Sequence, residues 1–170
     1  EALKTMLSGV MKYTVWNKWV RRSLYADYQV SFHAGYGMGE DMTMLLLFAH
    51  AGRVAYVPKA FYHYVKLNTG AMSNVYSDRH KEELKYNVNR TAECLTKIYG
   101  NTLEKEIAFL KLEAKFPFLL MGDTRLYRLW KEWYPEAHRY ILQNLGISAR
   151  SRWLQWCAWK NLFGLVWIYN

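Results

Sequence analysis

Gly37-Met38-Gly39-Glu40-Asp41, continued by Met42-Thr43-Met44-Leu45-Leu46-Leu47-Phe48-Ala49, is the stretch whose reading decides the fold. Two glycines free the backbone and two carboxylates follow at once. The apolar run after them has helix-forming composition and stops at Gly52. Glu40 and Asp41 are thereby predicted in a first helical turn, where unpaired N–H groups and the helix dipole favour negative charge. That placement predicts an Asp41 ionised at neutral pH and held at a loop-to-helix corner. A carboxylate so held can take a proton from a substrate hydroxyl. An ordinary acidic first turn has the same spelling, so the neighbouring residues decide between the two.

Upstream, residues 2–13 read as an amphipathic helix with Leu3, Met6, Leu7 and Val10 on one side. The segment from Tyr13 to Tyr25 starts β-rich and runs into a basic turn, and Val30 to Phe32 reads as a short strand. Downstream, Arg53 to Val57 reads as a strand stopped by Pro58, and Ala60 to Val65 as a second. Asn68-Thr69-Gly70 marks a loop reaching Ser73. From Ser77 onward the pattern is helical. One helix runs from Ser77 to Tyr99 and closes at Gly100; Asn101 with Glu104 has capping-box spacing for the next, which breaks near Pro117. Gly122 with Asp123 stops and restarts the chain, Pro135 opens another segment, and Ser148 caps a last helix to about Ile168. The expected fold class is therefore α+β and mostly helical, with residues 1–75 holding a few short strands and 76–170 forming a helical extension.

Hydrophobic residues make up 52% of the chain and charged residues 22%, which excludes a disordered polymer. A formal charge of +9 points to an anionic partner: nucleic acid, a phosphate-bearing substrate or an acidic membrane surface. Eight Trp and fourteen Tyr are a high aromatic content that suits sugar stacking, a membrane interface or a partner surface, with most of the rings expected in the core. Cys94 and Cys157 match no metal spacing and read as free thiols in a reducing, cytoplasmic setting. No secretory signal and no apolar run of membrane-spanning length is present. The absence of any nucleic-acid-binding signature, with the basic residues spread along the chain, argues against a nucleic-acid partner.

Three pieces in order resemble the second half of a bacterial family 2 glycosyltransferase of the polysaccharide-biosynthesis type. They are Asn17-Lys18 with Arg21-Arg22-Ser23-Leu24-Tyr25, then Gly39-Glu40-Asp41, then Tyr56-Val57-Pro58 leading to Tyr62-His63-Tyr64 and Ser73. The resemblance covers about residues 13–75 and implies a partial GT-A-like region. It implies that Asp41 is the general base of an inverting sugar transfer, with Glu40 orienting the acceptor or supporting the turn. It places Trp16, Asn17, Lys18, Arg21 and Arg22 along the approach to the site, the cations facing a diphosphate or an anionic lipid-linked acceptor. Read from the residues alone, Trp16 and Trp19 are core rings. Some members use a histidine in the position of His63 as a metal ligand, although a histidine between two tyrosines also suits plain packing. The family commonly has arginine after the tyrosine matched by Tyr64; here Val65 and Lys66 follow, and Lys66 is the substitute for its phosphate contact. The Asn68 to Ser73 loop is expected to cover the donor.

The family's other half holds Mg2+ or Mn2+ against the donor diphosphate with an Asp-x-Asp motif. The aspartates here are Asp27, Asp41, Asp78 and Asp123, and none forms that motif. The residues thus read as the acceptor side of an enzyme whose nucleotide-sugar donor site lies elsewhere, with the open face a candidate for homodimer formation. The acceptor would be a saccharide or a lipid-linked one, met at the inner face of the plasma membrane. Trp153, Trp156, Trp159 with Lys160, Phe163 and Trp167 fall along one stripe of the last helix, which also carries Arg150 and Arg152. That stripe either lies on anionic lipid or is buried against other helices. A non-catalytic membrane-surface or assembly module is the competing reading.

Overall fold

The computed structural model describes residues 1–65, 67 and 77–169. It corrects the expected fold class: the chain is 65% helical, and among the described residues there is no strand. The segments 30–32, 53–57 and 60–65, expected as strands of a GT-A-like sheet, are irregular. A strand's N–H and C=O groups need a neighbour, and an isolated pair is marginal in water. The apolar side chains of these segments are mostly left exposed, Val54, Tyr56, Val57, Phe61 and Tyr62 among them. High β-propensity without a sheet to join does not make a strand.

The chain divides into two compact units. One joins Leu3–Lys12 to Tyr99–Asn170, and the other is Tyr13–Ile98. In the first, α1 (Ala2–Leu7) is shorter than its periodicity predicts because Gly9 turns out of it at φ +84°. Next come α5 (Glu104–Lys115), α6 (Pro117–Leu120) and α7 (Thr124–Glu132), with α5 ending ahead of Pro117 as expected. The predicted Asn101–Glu104 capping box is absent: a 3-10 turn, Gly100–Leu103, leads straight into α5. Asp123 does cap α7, its Oδ1 accepting from the Arg125 amide at 2.8 Å. A 3-10 run, Pro135–Gln143, packs on α5 and on α8 (Ala149–Trp159), which Ser148 caps.

The last helix is not continuous. Asn161 sits at φ +63° and separates α8 from α9 (Phe163–Ile168), so the aromatic stripe cannot lie along one interfacial rod. Phe163 stacks on Tyr127 at 5.3 Å and Trp153 meets Tyr169 edge-on, so much of the stripe is spent on packing within this unit.

Lys115 is fully buried at the end of α5. Its Nζ donates to the carbonyls of Trp130 and Trp133, lies 2.7 Å from His138 Nε2, and sits over the Trp130 ring. His138 stacks on the same indole, 4.7 Å between centroids. Burial, together with the nearby Lys115 charge, pushes the His138 imidazole down to about 4, and burial pushes the Lys115 ammonium down to about 7. Between pH 6.5 and 4 the unfolded chain therefore carries a proton on this histidine that the folded chain refuses. Stability rises with pH across that window, so acidification through it should cost about 3 kcal/mol. Urea unfolding at stepped pH would check this; His138→Gln should flatten the slope.

In the second unit, α2 (Arg22–Asp27) precedes a 3-10 turn, Glu40–Met42, that feeds α3 (Thr43–His50). Thr43 to Leu47 are all buried, which makes α3 an interior helix rather than a surface one. Helix α4 (Asp78–Tyr99) is the longest, with Ser77 Oγ accepting the His80 amide at its start and Gly100 at φ +59° beyond its end. Leu84, Val88, Ala92 and Leu95 bury one side of it, and Glu83 and Asn87 are buried beside them. Those two polar residues position the site.

Candidate functional site

Gly39 is the point where the decisive stretch meets α4. It lies at φ +80°, and a Cβ there would stand 3.2 Å from Leu84 Cδ1 and 3.3 Å from Asn87 Cβ. The backbone before it is clamped by the helix. Glu83 Oε2 accepts the amides of Gly37 and Met38, each at 3.1 Å, while Asn87 Nδ2 donates to the Met38 carbonyl at 2.7 Å. The other Glu83 oxygen accepts from Arg79 Nε at 2.7 Å, and these N–H donors hold the carboxyl below its usual range. Gly39→Ala should lose about 1–2 kcal/mol from the left-handed backbone alone, measured by denaturant unfolding, with further loss from the close approach to α4.

Beyond Gly39 the two carboxylates part company. Asp41 is half-buried and turned toward the 13–18 segment, where its Oδ1 accepts the Val15 amide at 3.1 Å. Its Oδ2 has no donor among the described residues. Lys18 supplies the nearby positive charge, its Nζ donating to the Thr14 carbonyl at 2.9 Å and to Asn17 Oδ1 at 2.8 Å. Burial pushes the Asp41 carboxyl up, and the Val15 amide and Lys18 offset this only in part. That shift runs against the helix-dipole contribution expected at a first turn. A 3-10 turn of three residues aligns too few peptide dipoles to outweigh desolvation.

Next to this corner stands a ladder of rings. Trp16 stacks on Tyr64 at 5.0 Å and 12° and on Tyr62 at 5.3 Å and 27°, while Trp19 meets Phe61 at 5.4 Å. Trp16 and Trp19, expected in the core, are exposed, Trp19 by 88%. The structure therefore brings together Asp41, Lys18, Asn17, Trp16 and Tyr64 from the expected set. Arg21 and Arg22 are exposed at the start of α2, outside this group. His63 is exposed as well, and among the described residues no three His, Cys, Asp or Glu side chains converge as a metal site. The described residues thus bring no ligand set together for the expected Mg2+ or Mn2+. Lys66, Ser73 and the Asn68 to Ser73 cover lie outside the described residues.

Glu40 faces a different space. It lines an open cleft of about 560 Å3 with Phe32, His33, Tyr36, Arg79 and His80. Partial desolvation pushes its carboxyl up, and the charges of Asp41 and Glu83 add to that. The α4 residues that build this side, Arg79, Glu83, Tyr86, Asn87 and Arg90, escaped the sequence reading. Their signal was a polar stripe at helical spacing on an amphipathic helix, which looks like a solvated face until the loop it holds is known. Comparison of the chain with models of known protein families, with curated proteins and with solved structures finds no match.

Proposed function

We propose that the chain is the acceptor side of an inverting sugar transferase, with Asp41 as the general base. The observation that carries this is a half-buried carboxylate with one uncommitted oxygen beside an exposed ladder of stacked rings. Flat aromatic faces bind the C–H faces of sugar rings, and a carboxylate raised above the ordinary aspartate range is a better match to a hydroxyl's proton. In the step proposed, an acceptor hydroxyl attacks the anomeric carbon of a nucleotide-activated sugar. Its proton passes to Asp41 Oδ2 as the new C–O bond forms and the nucleoside diphosphate departs with the bonding pair. Lys18 keeps the carboxylate from being neutralised by its own burial. The diphosphate and the divalent cation that would neutralise it are assigned to a nucleotide-binding part outside residues 1–170. The helical architecture of the described residues gives no support of its own to this reading, which stands on the site.

No helix among the described residues is long and apolar enough to cross a membrane. The reading places the chain on the cytoplasmic side, acting on a saccharide or a lipid-linked saccharide. The test is a transfer assay with the intact polypeptide, nucleotide-sugar donors and saccharide acceptors. Trp16→Ala and Tyr64→Ala should each raise the acceptor KM by roughly three- to tenfold with kcat little changed, the worth of one stacking contact. Unchanged acceptor KM in both would remove the ladder from the site.

One observation favours the membrane-surface reading instead: Leu165, Trp167, Ile168 and Tyr169 at α9 are exposed. Flotation with anionic vesicles that is lost in Trp167→Ala, from a protein without transfer activity, would select it.

A further inference from the structure

The cleft beside Glu40 has a lining that the Asp41 chemistry does not use. Its volume of about 560 Å3 falls within the range of about 300–1,000 Å3 typical of small-ligand sites. One wall is a pile of rings: Tyr36 stacks on Tyr86 at 4.1 Å, and His33 packs against both at 5.0 and 4.9 Å. The Tyr86 hydroxyl lies 3.2 Å from His33 Nε2 and fixes that ring. The loop carrying His33 and Tyr36 is tied down at both ends, by Arg90 donating to the Ser31 carbonyl at 2.9 Å and by Glu83 accepting the Gly37 and Met38 amides. Such a wall is formed before any ligand arrives, which lowers the ordering cost of binding.

The charges narrow the ligand class. Arg79, the cation of the lining, is committed to Glu83 at 2.7 Å and reaches the Gly35 carbonyl at 3.5 Å. Both Glu83 oxygens are taken by N–H donors, which leaves Glu40 as the carboxylate turned to a ligand. With Glu40 and Glu83 against one Arg79, the lining is net negative and repels a phosphate or a nucleotide. A single carboxylate is too few ligands for a divalent cation. His80 Nδ1 accepts from the Ser77 amide at 3.5 Å, which sets the orientation of that ring in the lining. An aromatic wall, an acceptor-only carboxylate and an imidazole together suit a neutral polyol.

We infer that this cleft is a second saccharide subsite, binding an uncharged sugar ring of the acceptor against the His33–Tyr36 wall with hydroxyls on Glu40 and His80. The inference rests on the acceptor reading of Asp41 for its biological sense, but its ligand class comes from the cleft. It gives Glu40 a binding role distinct from the base.

The test is NMR on the full chain, following the His33 and His80 imidazole signals during titration with neutral di- to hexasaccharides of glucose, galactose and N-acetylglucosamine. At least one of these sugars should shift both signals at saturation. Glu40→Gln should weaken that sugar's binding on the order of tenfold, as loss of a charged hydrogen bond does. Tyr36→Phe, which keeps the ring, should leave binding within about threefold, and Tyr36→Ala should abolish it. No shift with any sugar overturns the subsite, as does a shift with inorganic phosphate alone. Quenching of tryptophan emission by a sugar that leaves His33 and His80 unmoved would also overturn it while sparing the acceptor reading. Conversely, sugar-dependent shifts in a protein whose Asp41→Asn variant transfers normally would support the subsite and remove Asp41 as the general base.

Discussion

Asp41→Asn is expected to lower transfer by about 10^2- to 10^4-fold, the range contributed by a positioned general base. The amide keeps the shape of the side chain and its Oδ1 can still accept the Val15 amide, so the fold should survive the change. What is lost is an oxygen able to hold the hydroxyl's proton. Donor binding should be unaffected, since the diphosphate is assigned elsewhere, and the loss should appear in kcat and kcat/KM alike. Asp41→Glu should recover little, because one more methylene displaces the carboxylate from the Val15 amide. A structural carboxylate would show the opposite pattern, with both variants losing stability and neither losing turnover selectively. Equilibrium unfolding run beside the transfer assay separates the two cases.

Lys115→Ala is the substitution with the largest expected effect on stability. Removing the ammonium orphans two buried carbonyls, of Trp130 and Trp133, and the His138 nitrogen. Each buried acceptor left without a donor costs about 1–3 kcal/mol, and the empty volume adds to this, so a loss of about 3–5 kcal/mol is expected. Lys115→Met fills the volume and isolates the polar part; it should be less damaging than alanine but still clearly destabilising. The lysine acts as a plug for the end of α7 and the turn after it, where carbonyls run out of helical partners. Calorimetry of the three proteins would rank them, and a methionine variant as stable as wild type would remove the lysine's structural role.

The helical part of this architecture was legible because it is punctuated. Gly100, Pro117, Asp123 and Ser148 each end or start a helix for a local reason, and a local reason can be read from neighbours in the chain. The break at Asn161 also had a local sign, since asparagine is among the residues that tolerate the left-handed backbone. The strands failed for the opposite reason. Val54, Tyr56 and Tyr62 prefer a pleated surface, but that preference is met only when another strand lies alongside. Without one, the rings of the 61–64 segment stack on Trp16 and Trp19 instead.

At the site the Gly39-Glu40-Asp41 corner could be found from the sequence, but its supports could not. Glu83 and Asn87 hold the loop from more than forty positions away, Met38 being 45 and 49 residues distant in the two bonds. The effect of burial on Asp41 could not be read from the sequence because it depends on how much solvent the 13–18 segment removes, a tertiary quantity. The separation of Glu40 from Asp41 into two spaces follows from the 3-10 turn, whose tighter winding swings consecutive side chains further apart than an α-helix does.

The claim on which the account turns is that Asp41 accepts the acceptor's proton, and single-turnover transfer as a function of pH tests it most directly. The wild-type rate should rise with pH through a single acidic limb, its midpoint above the ordinary aspartate value because burial raises that carboxyl. Asp41→Asn should show a low rate with no such limb. A variant that keeps both the wild-type rate and the limb would contradict the account.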